Sequence, residues 1–355
     1  MANFQKIRIL VLFSSSDIGG AERSLSRMSL SNNNNSISYQ LSTYGSSGAL
    51  SEWVASIGSK LVCFDKSIWK LVKYIRSEKP DVIYIIGFRL SVILRIIVPF
   101  LSKSFLIQGV RWNPASNSNL DKFFRFTEQL FGFLLEGYIV NSESAKKSIV
   151  KLKRKNVSLI YNGIAGIKKP NITSNNKQKN IITIANISAR KGYEQYLNAI
   201  AIVVKRVPES QFIFLGKDNL NGKIQRLIIE NNLENNIQYL GFHEEIEEFL
   251  EKSTLFVLPS LYGEGCPTSI LEAFSFSLPV VAYQIDGIPE LVTDGVDGLL
   301  LNVGDENELA KGIISLLLDP EKSIKMGMAG RKKVKDSFLL NEMVNKHNEY
   351  FLGLK

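Results

Sequence analysis

Cysteine is scarce in this chain, with Cys63 and Cys266 the two in 355 residues. So far apart, they form neither a disulfide framework nor paired metal-ligand spacing, and a reducing, cytoplasmic setting is expected. Neither is expected to act as a nucleophile. No Gly-x-Gly-x-x-Gly follows the first strand-like run, which disfavours a dinucleotide-dependent dehydrogenase. Long apolar runs are also missing. The longest, Leu90 to Ile107, contains Arg95, Pro99 and Lys103, whereas a spanning helix needs about 20 mostly uncharged residues. The opening MANFQKIRILVLFSSS has an apolar run too short for the core and cleavage site of an export signal, and reads as a first β-strand.

What is present is an ordinary globular composition, 45% hydrophobic and 22% charged, in a chain long enough for two buried cores. Strand-like runs at Ile7 to Phe13, Ser38 to Thr43, Lys60 to Phe64, Val82 to Ile86, Phe105 to Gly109 and Gly137 to Val140 alternate with helical stretches, the first of them from about Ala21 to Leu30. A polar stretch from Ile167 to Lys179 reads as a linker. The alternation resumes through Ile181 to Ala185, Gln211 to Leu215, Ile237 to Leu240, Leu255 to Leu258, Val280 to Tyr283 and Gly298 to Leu301, and a last helix runs from about Leu340 to Phe351. Strand and helix in alternation predict parallel, doubly wound sheets.

Charge is unevenly distributed. Residues 1–170 hold 24 Lys and Arg against 10 Asp and Glu, whereas residues 171–355 hold 19 against 24. The basic clusters are Lys66, Lys70, Lys73 and Arg76, then Lys146 and Lys147, then Lys151 to Lys155. Ile68, Trp69, Leu71 and Val72 interleave with the first, a basic amphipathic pattern of interfacial type. The basic half suits an anionic partner such as a membrane surface or an acceptor diphosphate, the alternative being a solvated face. Nucleic acid is disfavoured because no recognised binding motif accompanies the charge.

The segment PSLYGEGCPTSILEAFSFSLPVVAYQIDGIPE, Pro259 to Glu290, concentrates the chemistry. Leu255 to Leu258 predicts a buried strand, Gly263 and Gly265 permit unusual backbone and close ligand approach, and a helix opens near Thr268 after Pro267. The N–H groups at that helix start suit a diphosphate. Glu264 lies in the loop, and Glu272, one turn into the helix, offers two acceptor oxygens to a vicinal diol such as a ribose. Asp286, Gly287 and Ile288 bring a second loop to the same sheet edge, the edge where open α/β sheets bind ligands.

These residues, Glu264-Gly265-Cys266-Pro267-Thr268 through Glu272, with Pro279-Val280-Val281-Ala282 and Pro289-Glu290-Leu291-Val292, resemble the signature of retaining glycosyltransferases of family 4, the glycosyl transferases group 1. Gly19-Gly20-Ala21-Glu22 resembles the family's glycine loop. Tyr138-Ile139-Val140-Asn141-Ser142 and Tyr161-Asn162-Gly163-Ile164 resemble the segments that end its first domain. The resemblance implies the GT-B architecture, two Rossmann-like domains facing each other across a cleft. On that expectation residues 1–168 form an acceptor-side domain and 169–337 a nucleotide-sugar domain, with 338–355 a helix packing back on the first.

The resemblance also implies roles. Glu264 orients the donor sugar hydroxyls, Glu272 holds the ribose and Lys191 neutralises the diphosphate. Gly19, Gly20, Asn186, Arg190, Gly265, Cys266, Pro267, Thr268, Ser269 and Ile270 complete the donor set, with Cys266 to Ile270 presenting backbone N–H groups. Two positions depart from the family. Asn186 stands where an Arg commonly precedes the Lys, leaving Arg190 as the adjacent cation. Arg111, expected with Glu264 and Lys191 to be catalytic, stands where many members carry a His that contacts the donor sugar, a permanent charge in place of a titratable imidazole. His243 and His347 match no catalytic position and are expected on the surface or in packing.

The implied reaction moves a sugar with retention from a nucleotide-diphosphate sugar, a UDP-sugar foremost, to a glycan or polyprenyl-diphosphate-linked acceptor at the inner face of the cell membrane, in polysaccharide, lipopolysaccharide or capsule assembly. No cofactor is expected, and the absence of Asp-x-Asp gives no sign of a metal on the diphosphate. Other classes compete: a glycoside hydrolase also uses two carboxylates, a sugar-nucleotide epimerase shares the layout, and a non-catalytic membrane-docking or interaction protein could keep the fold.

Overall fold

The computed structural model describes residues 6–114, 119–154, 156–167 and 179–354. The chain divides into two compact units, residues 1–163 with 340–355, and residues 164–339.

The first unit is built on β1 (Ile7–Phe13), β2 (Ile37–Thr43), β3 (Val62–Cys63), β4 (Val82–Ile86), β5 (Phe105–Val110), β6 (Gly137–Val140) and β7 (Val157–Leu159). They form one seven-stranded sheet in the order β3-β2-β1-β4-β5-β6-β7, with every pair parallel. The central strands read as near-continuous apolar runs because helices cover both faces. Leu25 and Met28 of helix Gly20–Leu30 pack on one face with Leu340, Met343, Val344 and Phe351 of helix Leu340–Leu352. The opposite face carries helices Ile68–Glu78 and Phe88–Ile97, whose Leu71, Ile75, Leu90 and Leu94 share one core. Each fully buried Leu, Ile or Phe contributes about 1.5–3 kcal/mol relative to exposure.

The second unit contains β8 (Lys179–Ile184), β9 (Ser210–Leu215), β10 (Ile237–Gly241), β11 (Leu255–Leu258), β12 (Val280–Tyr283) and β13 (Gly298–Leu301). Their order is β10-β9-β8-β11-β12-β13, again parallel throughout. The winding direction reverses between β8 and β11, which opens a crevice at the carboxyl ends of those two strands.

Three local expectations need correction. β3 is two residues long, and β7 has no counterpart in the sequence reading, since three half-buried residues at a sheet edge give too short an alternation to register. Leu71 and Val72 do not form an interfacial stripe. They face the core, and Trp69 alone of that apolar set is strongly exposed, at 79%. The proposed linker lies mostly outside the described residues, and Lys179 already begins β8.

Candidate active site

At the β8–β11 reversal the chain brings together residues far apart in sequence. After β8 a 3-10 turn, Ala189–Lys191, leads into helix Tyr193–Arg206 through Gly192. Gly192 has φ +66°, and a Cβ there would collide with the Pro259 carbonyl oxygen of the loop after β11. Only glycine allows this approach. It is fixed by the Leu261 N–H, which donates to the Arg190 carbonyl at 2.8 Å.

Lys191 Nζ therefore donates to Glu264 Oε1 in a buried ion pair. The Ser260 hydroxyl donates to the same oxygen at 2.6 Å. Arg190 Nη1 donates to the Gly263 carbonyl at 3.2 Å and approaches Glu264 Oε1 at 3.5 Å. Arg190 thus points into the same loop as Lys191. Asn186 does not take the place of the missing Arg, because its Oδ1 accepts from the Lys217 N–H at 3.0 Å and ties the loop after β8 to the loop after β9.

The electrostatics follow from burial. Glu264 is 5% exposed. Desolvation alone would raise its pKa, but the charges of Lys191 and Arg190, with the Lys191 and Ser260 hydrogen bonds, outweigh it and hold the carboxyl below its ordinary value. Burial lowers the Lys191 ammonium from its ordinary value, opposed by Glu264 and reinforced by Arg190. The half-exposed Arg190 adds little to stability, about 1 kcal/mol or less.

A third loop, after β12, supports Glu264 from behind. Asp286 Oδ2 accepts from the Gly263 N–H at 2.6 Å and the Glu264 N–H at 3.1 Å, and the Gly287 N–H donates back to the Glu264 carbonyl at 3.2 Å. Asp286 has φ +46°, which a short polar side chain tolerates. Gly263 is left-handed at φ +80°, whereas Gly265, contrary to expectation, is not.

Helix Thr268–Ser275 begins directly after this loop. The first N–H groups of a helix lack partners within it. Here they belong to Thr268 and Ser269. Pro267 has no N–H, and the Ile270 N–H donates to the Pro267 carbonyl at 3.2 Å, so the expectation that all of Cys266 to Ile270 present donors fails at those two. The Ile270 side chain is wholly buried, and Cys266 nearly so. Glu272 is partly buried on the first turns of the same helix.

Gly19, Gly20 and Arg111 belong to the first unit. Gly19 caps helix Gly20–Leu30, and Glu22 folds back over that cap. Burial raises the Glu22 carboxyl, against the backbone N–H groups of Glu22 and Gly19. Arg111, at the carboxyl end of β5, donates to the Tyr84 hydroxyl at 2.5 Å and to Asn162 Oδ1 at 3.2 Å, and meets His347 Nε2 at 3.4 Å. His347 is wholly buried. Its pKa is lowered to about 3 by burial and by Arg111, against a bond to the Met343 carbonyl. The sequence reading missed Ser260, Tyr84 and the joining of Arg111 to His347. Ser260 could have been flagged by its place at the end of a buried strand, but the other two depend on strand order alone.

Residues 166–333 match the family model described as glycosyl transferases group 1. The amylovoran biosynthesis glycosyltransferase AmsK of Erwinia amylovora is 30% identical over 165 residues, 44% of this chain and 40% of that protein. The UDP-Gal:alpha-D-GlcNAc-diphosphoundecaprenol alpha-1,3-galactosyltransferase of Escherichia coli is 30% identical over 149 residues, 42% of this chain and 38% of that protein. The chain thus matches well under two thirds of the length of these relatives. Among solved structures, HepE of Anabaena in complex with UDP and glucose superposes with a TM-score of 0.85 at 19% identity, covering 98% of this chain and 100% of that one. At that identity the likeness concerns the fold, which is the GT-B fold of two Rossmann-like parallel-sheet domains.

Proposed function

We propose that this chain, which carries the glycosyl transferases group 1 domain in residues 166–333, is a retaining glycosyltransferase that moves a sugar from a UDP-sugar to a glycan or lipid-diphosphate-linked acceptor in cell-surface polysaccharide synthesis. The observation that carries this reading is the convergence of Glu264, Lys191 and Arg190 beside the start of helix Thr268–Ser275, at the winding reversal of the second unit. A carboxylate for sugar hydroxyls, two cations and helix N–H groups for a diphosphate, and Glu272 for a ribose make up a nucleotide-sugar donor set. The bond from the anomeric carbon to the diphosphate breaks as negative charge grows on the leaving phosphate. Lys191, Arg190 and the Thr268 and Ser269 N–H groups stabilise that charge. In a front-face route the leaving phosphate takes the acceptor proton, and no side chain of this site forms a covalent bond. The acceptor relation of the Escherichia coli relative and the basic first half of this chain support a lipid-linked acceptor and work at the inner membrane face.

The test is a thermal-shift titration with UDP, GDP, ADP, CMP and their sugar conjugates, on the wild type and Glu272→Ala. A ligand that binds only the native state raises the melting temperature. A shift with UDP and its conjugates that Glu272→Ala loses is the expected result. No shift with any nucleotide would overturn the reading in favour of an interaction protein.

A further inference from the structure

Exposed apolar side chains are ordinary when scattered, but in the first unit one set of them is ordered. On helix Phe88–Ile97 and the 3-10 turn Val98–Phe100 that continues it, Ile93, Ile96 and Phe100 face solvent, Phe100 at 85% exposure. On helix Asn119–Phe131 and the turn Gly132–Leu134, Phe123, Phe126, Leu130 and Phe133 do the same, Phe133 at 72%. Within each set the spacing is three or four residues, which places the side chains on one helical face.

The two helices lie side by side. Arg95 and Glu128, both wholly buried, form an ion pair at 2.5 Å between them, and the rings of Phe88 and Phe123 meet at 5.9 Å. Their inner faces are filled, with Leu94 and Phe124 fully buried, so the outward stripes are not a frayed core. Seven exposed apolar side chains on two adjacent helices are the kind of feature that marks an interaction site.

Its charge selects the occupant. Within residues 88–134 the buried Arg95 and Glu128 neutralise each other and Arg111 is held by Tyr84 and Asn162, which leaves Arg89, Lys103, Lys122 and Arg125 against Asp121. Arg89, Lys103 and Lys122 are exposed around the stripes. A second copy of the chain would bring like charges together across such a face. Aromatic and branched side chains ringed by cations match the acyl boundary and headgroups of an anionic bilayer. Helix Ile68–Glu78 shares a core with helix Phe88–Ile97 and adds the exposed Trp69, with Lys70 and Lys73, to the same layer.

We infer that this cation-rimmed apolar face of the first unit docks on an anionic lipid surface, with Phe100, Phe123, Phe126 and Phe133 entering the interfacial layer. The inference deepens the lipid-linked acceptor reading and takes its purpose from it. Its test requires neither donor nor acceptor, so each can fail alone.

The full chain is sedimented with phosphatidylcholine vesicles with or without phosphatidylglycerol, across a range of salt. Binding to the phosphatidylglycerol vesicles is expected, weakening as salt rises. The variant Phe100→Ser/Phe126→Ser/Phe133→Ser should bind at least about tenfold more weakly, with melting temperature and UDP-induced shift unchanged because these side chains are exposed. Arg89→Glu/Lys122→Glu should retain the aromatics and lose the preference for anionic lipid. The inference is overturned if the wild type ignores anionic vesicles or if the triple variant binds them undiminished. It is also overturned if ultracentrifugation finds self-association that the triple variant abolishes without any vesicle binding, which would assign the face to a second copy.

Discussion

Glu264 is the centre of the second unit's candidate site, where it accepts from Lys191, Arg190 and Ser260 together. In Glu264→Gln a buried ammonium loses its counter-charge, so the variant should be less stable by about 3–5 kcal/mol at neutral pH. The pH sign is fixed by the lowered carboxyl. The contribution of Glu264 is present above the ordinary carboxylate range and fades as pH falls through the folded-state value, so the deficit of the variant should shrink in acid. On the proposed function, the variant also frees Lys191 for the diphosphate. UDP affinity should hold or rise while kcat with the UDP-sugar falls about 10²–10³-fold, a split that calorimetry and steady-state kinetics would resolve. Equal losses in UDP affinity and kcat would mean that Glu264 serves only to position Lys191. The sequence made both glutamates visible, because the acids and the Gly-Cys-Pro-Thr turn are contiguous. It did not reveal that Arg190 turns toward Glu264 while the Asn186 side chain turns away, since rotamers after a turn are set by what the turn packs against.

At the scale of elements, the pairing of helices Phe88–Ile97 and Asn119–Phe131 rests on a polar contact inside an apolar layer. Arg95 meets Glu128, and Glu128 also accepts from the Tyr138 hydroxyl. Breaking one side leaves a buried charge unpaired, so Glu128→Ala should cost about 3–5 kcal/mol, whereas Arg95→Met/Glu128→Leu should lie within about 2 kcal/mol of the wild type. Urea unfolding of Arg95→Met, Glu128→Leu and the double variant measures the coupling. Additive single-variant losses would show that the pair does not act as a unit. Arg95 appeared in the sequence as an interruption in an apolar run. Its partner, 33 residues away, could not be read there, because nothing local states which acid the β5 crossover will bring alongside.

For the whole molecule, stability should carry the signature of one histidine. His347 is neutral in the fold, its pKa lowered to about 3 chiefly by burial, while an unfolded histidine takes up a proton near pH 6.5. Its contribution is complete above that pH and is lost as pH falls from there toward 3, at up to about 1.4 kcal/mol per pH unit. His347→Gln should remove that slope between pH 6.5 and 4 in a series of urea midpoints. An unchanged slope would place the acid sensitivity elsewhere. By itself the sequence determined two doubly wound halves, the strand-loop-helix that holds Glu264 and Glu272, the helix start at Thr268 and the basic character of the first half. All of these are written in short-range periodicity, turn residues and composition. Only the tertiary structure decided that Lys191 meets Glu264 across 73 residues, that Arg111 is held by Tyr84, Asn162 and His347, and that the exposed apolar side chains line helices Phe88–Ile97 and Asn119–Phe131, whereas Leu71 and Val72 of helix Ile68–Glu78 turn into the core. The reason is strand order. Placing β11 against β8, and β4 between β1 and β5, fixes which loops and helix faces meet, and a local pattern does not encode that adjacency.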